Sequence, residues 1–126
     1  MTKAEFYTTT KTEILRAATG IKKVYRFRGQ LDDPTQENAL SYPCVLIEFA
    51  PIEYQSTSSG QRGRGNVVFH VVTKSTDPES TNDLTQADEF HKAINRKYGL
   101  VRTSEDSENY DSVTDWSIQY HTNMFD

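Results

Sequence analysis

The pattern of apolar residues predicts four β-strands: three segments alternate between apolar and polar residues, and one is apolar on both faces. Residues 44–54, "CVLIEFAPIEY", alternate until Pro51, which cannot donate to a ladder and marks an edge or a loosened pairing. Residues 66–73, "NVVFHVVT", are apolar on both faces, which is typical of a central strand. Residues 113–122, "VTDWSIQYHT", predict a last strand, and residues 22–29, "KKVYRFRG", a shorter early one.

Apolar residues spaced by three and four positions predict two helices. The first covers residues 4–19, with Gly20 placed as its C-terminal cap. The second is "LTQADEFHKAINRKYG", residues 84–99, and its final glycine predicts the stop. Asp33 and Pro34 predict the start of a helical turn in the connection before residue 44.

Two polar segments complete the pattern. Residues 55–65, "QSTSSGQRGRG", are turn formers that predict a long hairpin loop with a mobile tip. Residues 101–112, "VRTSEDSENYDS", predict an acidic loop. The order indicates a single α+β domain over residues 1–126: a two-layer sandwich with a mainly antiparallel four-stranded sheet and helices packed on one face.

Composition and charge narrow the function classes. The net charge is -4, whereas a general nucleic-acid binder is expected to be basic. Residues 81–126 contain nine acidic and four basic side chains, whereas residues 1–80 contain nine acidic and ten basic ones. The acidic second half of one subunit could therefore contact the arginines of another. One cysteine excludes an intrachain disulfide, and no signal peptide or membrane span is visible, so we expect a soluble protein made in a cytoplasm.

The glycine–arginine segment does not fit a phosphate-binding loop. A Walker loop needs Lys and Ser or Thr after its last glycine and then a helix, but Gly65 is followed by Asn66 and a strand. Three interpretations stay open: a tip that binds a partner protein, a plain solvated loop and a nucleic-acid contact. The candidate partner-binding residues are Gln61, Arg62, Gly63, Arg64 and Gly65.

Catalytic and metal chemistry have little support in the sequence. His70, His91 and His121 have no metal-ligand spacing, and Cys44 has no companion ligand and is expected to be a buried small side chain. A Ser-His-Asp triad is set in space and stays open, although no nucleophile-elbow motif is present. We therefore predict no catalytic residue, no metal and no cofactor.

The segment "KKVYRFR" combines basic and aromatic residues: Lys22, Lys23, Tyr25, Arg26, Phe27 and Arg28. Aromatic rings beside basic side chains can bind single-stranded nucleic acid, which is a second hypothesis for function. The competing interpretation is a sheet-edge strand whose charges prevent edge pairing.

The layout of the chain resembles the tail terminator and tail-completion (head-tail joining) proteins of long-tailed bacteriophages. The resemblance covers roughly residues 1–122 and rests on "YPCVLIEF", "VVFHVVT" and the amphipathic helix that follows. It implies a virion protein of the tail or neck, assembled in the host bacterial cytoplasm. A head-tail adaptor, or neck protein, would have a similar layout.

The resemblance also implies partners and surfaces. The chain would form a hexameric ring of its own copies that caps the tail tube protein and contacts head-tail connector proteins. It would have no catalysis, cofactor or membrane contact, and genomic DNA would pass through the ring without specific binding. The residues assigned to the channel on this basis are Glu105, Asp106, Glu108 and Asp111.

Overall fold

A computed structural model describes residues 1–126, which form three helices and five strands. The helices are α1 (Lys3–Ala17), α2 (Pro34–Asn38) and α3 (Asn82–Ile94). The strands are β1 (Lys23–Arg26), β2 (Cys44–Thr57), β3 (Gly60–Lys74), β4 (Val101–Tyr110) and β5 (Val113–Phe125). None of the helices combines the length and the apolar character that a membrane crossing requires.

The five strands form one mixed sheet in the order β1-β2-β3-β5-β4. β1 is parallel to β2, and the other neighbours are antiparallel. The α+β class is confirmed, but the expected four strands are one too few, because the segment predicted as an acidic loop is β4. Nine of its ten residues are exposed, so no buried face gives the strand an apolar alternation. Its pairing with β5 holds it in place.

The segment predicted as a long hairpin loop, residues 55–65, is also strand. β2 and β3 pair as far as Thr57 and Gly60, and only Ser58 and Ser59 form the turn. The register shifts between Phe49 and Ile52, where Pro51 interrupts the ladder. We call the end of the β2–β3 hairpin, residues 51–65, the ribbon. Its last three residue pairs project beyond β5, which accompanies β3 only to Gly63.

The main core lies between the sheet and the helices α1 and α3. Its largest fully buried side chains include Phe6 and Ile14 from α1, Phe90 from α3, and Phe69 and Tyr120 from the sheet. Burying a side chain of this size contributes about 1.5–3 kcal/mol. This layer therefore carries most of the apolar stabilisation of the fold.

The second face of the sheet is also covered in part, so the expectation of helices on one face only is incomplete. A short 3-10 turn (Gln30–Asp32) precedes α2 and brings Leu31 against this face. Its small core comprises Leu31, Cys44, Leu46, Val72 and Val113. α2 begins where the sequence predicts, since Asp33 accepts a hydrogen bond from the backbone N–H of Thr35 at 2.9 Å.

The two long helices end earlier than predicted. α1 ends at Ala17, with Ala18 as its C-terminal cap. α3 ends at Ile94 and not at Gly99, because Arg96 and Tyr98 have left-handed backbone angles, with φ of 62° and 52°. The chain then turns into β4, and the Tyr98 carbonyl accepts a hydrogen bond from the Thr122 hydroxyl at 2.8 Å.

Candidate functional site

The glycine–arginine segment forms the β3 side of the projecting ribbon. Along residues 62–65 the burial alternates: Arg62 and Arg64 are exposed, whereas Gly63 and Gly65 are buried. Alternate residues of a strand point to opposite faces, so both arginines lie on one face of the ribbon. The arrangement excludes a phosphate-binding loop, because the backbone N–H groups of a paired strand do not converge on one point.

The two glycines are needed for close packing within the ribbon. A Cβ atom at Gly63 would lie 2.6 Å from the ring of Tyr54, and one at Gly65 would lie 2.8 Å from the Pro51 carbonyl oxygen. The repeated "GRG" therefore has a structural cause on its glycine face. Its arginine face remains open to solvent.

The two arginines differ in their surroundings. Arg64 lies opposite Glu53, with the guanidinium 3.7 Å from the carboxylate and both side chains exposed. Arg62 lies opposite Gln55 and has no carboxylate within 4.0 Å. Gln61 and Arg62 line a groove of about 650 Å³ between the ribbon and the end of β5. The ribbon thus offers a partner one free cation beside a groove.

The four acids assigned to a channel do not form one cluster. Glu105 lies opposite Ile118, on the side of the sheet that carries α1 and α3. Asp106 and Glu108 take register positions on the other side, and Asp111 is in the β4–β5 turn with φ of 55°. They share the outermost strand and its turn, which makes them a charged sheet edge.

Arg62 and Asp111 lie towards opposite ends of the sheet. β3 pairs with the end of β5 at Gly63 and with its beginning at Lys74, next to the turn that holds Asp111. At about 3.3 Å per residue, the length of β5 separates the two ends by roughly 40 Å. The structure therefore does not bring together the residues predicted for partner binding and those predicted for the channel.

A buried ionic group on the second face was not predicted from the sequence. His70 Nδ1 lies 2.9 Å from Asp115 Oδ2, and His70 Nε2 lies 2.7 Å from Glu48 Oε1. The imidazole also stacks on Phe27, with ring centroids 4.5 Å apart and planes 14° apart. His70 and Asp115 are buried, whereas the Glu48 side chain is 40% exposed.

The two carboxylates favour the charged form of His70. Burial lowers the pKa of the imidazole, but the hydrogen bonds and charges of Asp115 and Glu48 together outweigh it, so the pKa is raised. Carboxylates only accept hydrogen bonds, which requires a proton on each ring nitrogen. The group is therefore an imidazolium held between two anions.

The same geometry argues against a Ser-His-Asp triad. Ser117 Oγ lies 3.1 Å from His70 Nδ1, the nitrogen that Asp115 already binds. In a triad the serine and the carboxylate bind opposite nitrogens of the histidine, and here Glu48 occupies Nε2. An imidazolium in this setting cannot take a proton from the serine. We therefore assign the group a structural role.

The remaining candidate side chains are packed or spread apart. Cys44 is fully buried as expected, and burial, with a contribution from Asp115, raises its thiol pKa to about 12. His91 Nδ1 lies 2.7 Å from the Tyr120 hydroxyl, and burial lowers the His91 pKa. No group of three or more His, Cys, Asp or Glu side chains is placed to hold a metal ion.

A signal for the ionic group was present in the sequence. Glu48, His70 and Asp115 occupy alternate positions of three predicted strands, on the face away from the main core. What the sequence does not contain is the register that pairs Val68 with Glu48 and His70 with Ser117.

Comparison with known proteins yields a fold and no family. No protein-family model and no curated protein matches the chain. Among solved structures, a chain of the "Virion of native gene transfer agent (GTA) particle" superposes with a TM-score of 0.52, at 10% sequence identity. The match covers 92% of this chain and 84% of that chain. The fold described above is thus shared with a protein of a gene transfer agent virion.

Proposed function

We propose that this chain is a structural virion protein, a ring-forming tail terminator that caps the tail tube and joins it to the head connector. One observation carries the proposal: the fold likeness to a gene transfer agent virion protein extends over nearly the whole of both chains. The shared architecture covers 92% of this chain and 84% of that chain. The role proposed here involves assembly and no turnover of substrate.

The surface of the protein supports a role in assembly. The ribbon projects from the sheet and presents Arg62 beside a groove, and β4 presents a long exposed edge. Both are extended surfaces suited to other protein subunits rather than enclosed sites for a small molecule. Contacts between copies would form the ring, and the ribbon would contact the tube or the connector.

A head-tail adaptor in the neck is the alternative within the same class, since its fold and surfaces would be similar. Binding of single-stranded nucleic acid is less well supported. Phe27 is stacked on His70, and the Tyr25 hydroxyl accepts a hydrogen bond from the Ser41 N–H at 3.2 Å. Both rings are half-buried and engaged within the fold, so they are not free to stack on bases.

Co-assembly with the tube protein encoded in the same genome tests the proposal. Electron microscopy should show tubes that end in a ring of this chain, with tube growth stopped there. Tubes whose ends and lengths are the same with and without the chain would contradict the terminator role. Rings that bind the connector protein but never the tube would indicate the adaptor.

A further inference from the structure

The two free edges of the sheet carry opposite charges. β1 has a strand neighbour only on the β2 side, and β4 only on the β5 side, so each leaves one edge unpaired. Residues 22–28, around β1, contain four basic side chains and no acidic one. Residues 101–111, β4 and its turn, contain four acidic side chains and one basic one.

The basic side chains on the β1 edge are unpaired within the chain. Lys22, Lys23, Arg26 and Arg28 are all exposed, and none has a carboxylate within 4.0 Å among residues 1–126. On the β4 edge only Glu105 has a cation that near, Arg102 at 3.8 Å. The fold therefore leaves two exposed patches of opposite sign without partners of their own.

We infer that the β4 edge of one copy binds the β1 edge of the next, so that acidic and basic edges alternate around the ring. The inference rests on the proposed ring and names the contact that builds it. The two patches lie on opposite edges of a five-stranded sheet, about 19 Å apart at 4.8 Å per strand spacing. A contact between two different patches is heterologous, which is the type that generates rings.

Charged edge strands also prevent sheets from aggregating, and this explanation makes a different prediction. Protection alone is achieved by charges of either sign on either edge. Opposite signs on the two edges repel β1 from β1 and β4 from β4, but attract β1 to β4. The pattern thus disfavours a two-fold dimer and favours a head-to-tail order.

Side-chain charge, more than a continued backbone ladder, supplies the attraction. The Gln30 side chain already binds two backbone groups of the β1 edge. Its Nε2 donates to the Arg26 carbonyl at 2.7 Å, and its Oε1 accepts from the Arg28 N–H at 2.6 Å. The contact should therefore weaken as salt is added, because exposed charges are screened.

A charge swap between the edges tests the inference. One variant makes the acidic edge basic (Glu105→Lys, Asp106→Lys, Glu108→Lys), and the other makes the basic edge acidic (Lys22→Glu, Lys23→Glu, Arg26→Glu). Each variant alone should assemble at least about tenfold more weakly than the wild-type chain, since its two edges now repel. An equimolar mixture of the two should restore assembly, because each new edge meets its opposite in the other variant.

Light scattering after size exclusion measures the assembly, and circular dichroism checks that each variant is folded. A control, Glu79→Lys with Glu89→Lys, reverses two charges at exposed positions outside residues 22–28 and 101–111 and should assemble like the wild type. Variants with glutamine at the same edge positions should assemble less weakly than the charge-reversed ones. They replace a charge-reversed variant that fails to fold.

The outcomes separate the edge contact from the proposed function. If each variant alone forms rings as the wild-type chain does, or if the mixture fails to assemble, the edge contact is wrong and the proposed ring is unaffected. A wild-type chain that stays monomeric up to its solubility limit, alone and with tube protein, would overturn both.

Discussion

His70 and Asp115 face each other across β3 and β5, with Nδ1 and Oδ2 2.9 Å apart on the less covered face of the sheet. Glu48 completes the arrangement from β2. Three central strands are therefore joined by one charged side chain. A proton on each ring nitrogen of His70 allows both carboxylates to accept a hydrogen bond.

Stability should fall as pH rises above the ordinary histidine pKa of 6.5. The pKa of His70 is raised in the folded chain, so between 6.5 and that higher pKa the folded state binds more protons than the unfolded state. The stabilising contribution is complete below 6.5 and is lost as pH passes the folded-state pKa. Urea unfolding across this range should show a decline that His70→Gln removes.

The control for that experiment is His121→Gln, which removes an exposed histidine on β5 instead. A decline that is equally steep in His70→Gln would contradict the assignment of the pH dependence to His70.

Removing the buried carboxylate of Asp115 should lower the free energy of unfolding more than removing the partly exposed carboxylate of Glu48. Asp115→Asn leaves the imidazolium without its buried partner and should lower the free energy of unfolding by about 3–5 kcal/mol at pH 6. Glu48→Gln removes a half-exposed partner and should cost about 1 kcal/mol or less. Chemical denaturation of both variants measures the difference, and equal losses would refute the ranking by burial.

The ribbon glycines should differ in their tolerance of a methyl group. Gly65→Ala meets the Pro51 carbonyl at 2.8 Å, where the backbone must move, and should cost roughly 1–3 kcal/mol. Gly63→Ala meets the exposed ring of Tyr54, which can rotate away, and should cost less.

Thermal unfolding of the two alanine variants provides the comparison. Adding Tyr54→Ala should relieve the cost at Gly63 but not that at Gly65. A Gly63→Ala variant that is the less stable of the two would show that the ring is fixed in place.

The ribbon arginines should matter for binding and not for stability. Arg62→Ala with Arg64→Ala removes exposed side chains and one exposed ion pair, so the free energy of unfolding should change by about 0.5 kcal/mol or less. Binding to tube or connector protein, followed by sedimentation, should weaken.

Two exposed cations elsewhere, Lys3 and Lys92, provide the control for those arginines when replaced by alanine. If the arginine variant binds as well as the wild type, the ribbon is not the partner surface.

The sequence predicted the elements whose apolar pattern the core requires. The central strands, α1 and α3 are in place because alternation and three-four spacing report which side is buried. β4 was missed for the same reason, since an edge strand that is exposed on both faces has no such pattern. The many turn-forming residues in 55–65 predicted a loop. The segment is strand because β2 and β3 pair across it.

The ionic group shows a different limit. Its three residues lie on separate strands, up to 67 positions apart, and their meeting depends on the register between the strands. The opposite charges of the two sheet edges were visible in the sequence, but that these segments are edges is known only from the strand order.

The mass of the assembled species tests the central claim most directly. Light scattering on the purified chain, over a range of concentrations and with tube protein added, should give one closed oligomer of defined copy number that electron microscopy shows as a ring at the tube end. A chain that remains monomeric under all these conditions and leaves the tube ends bare would contradict the account.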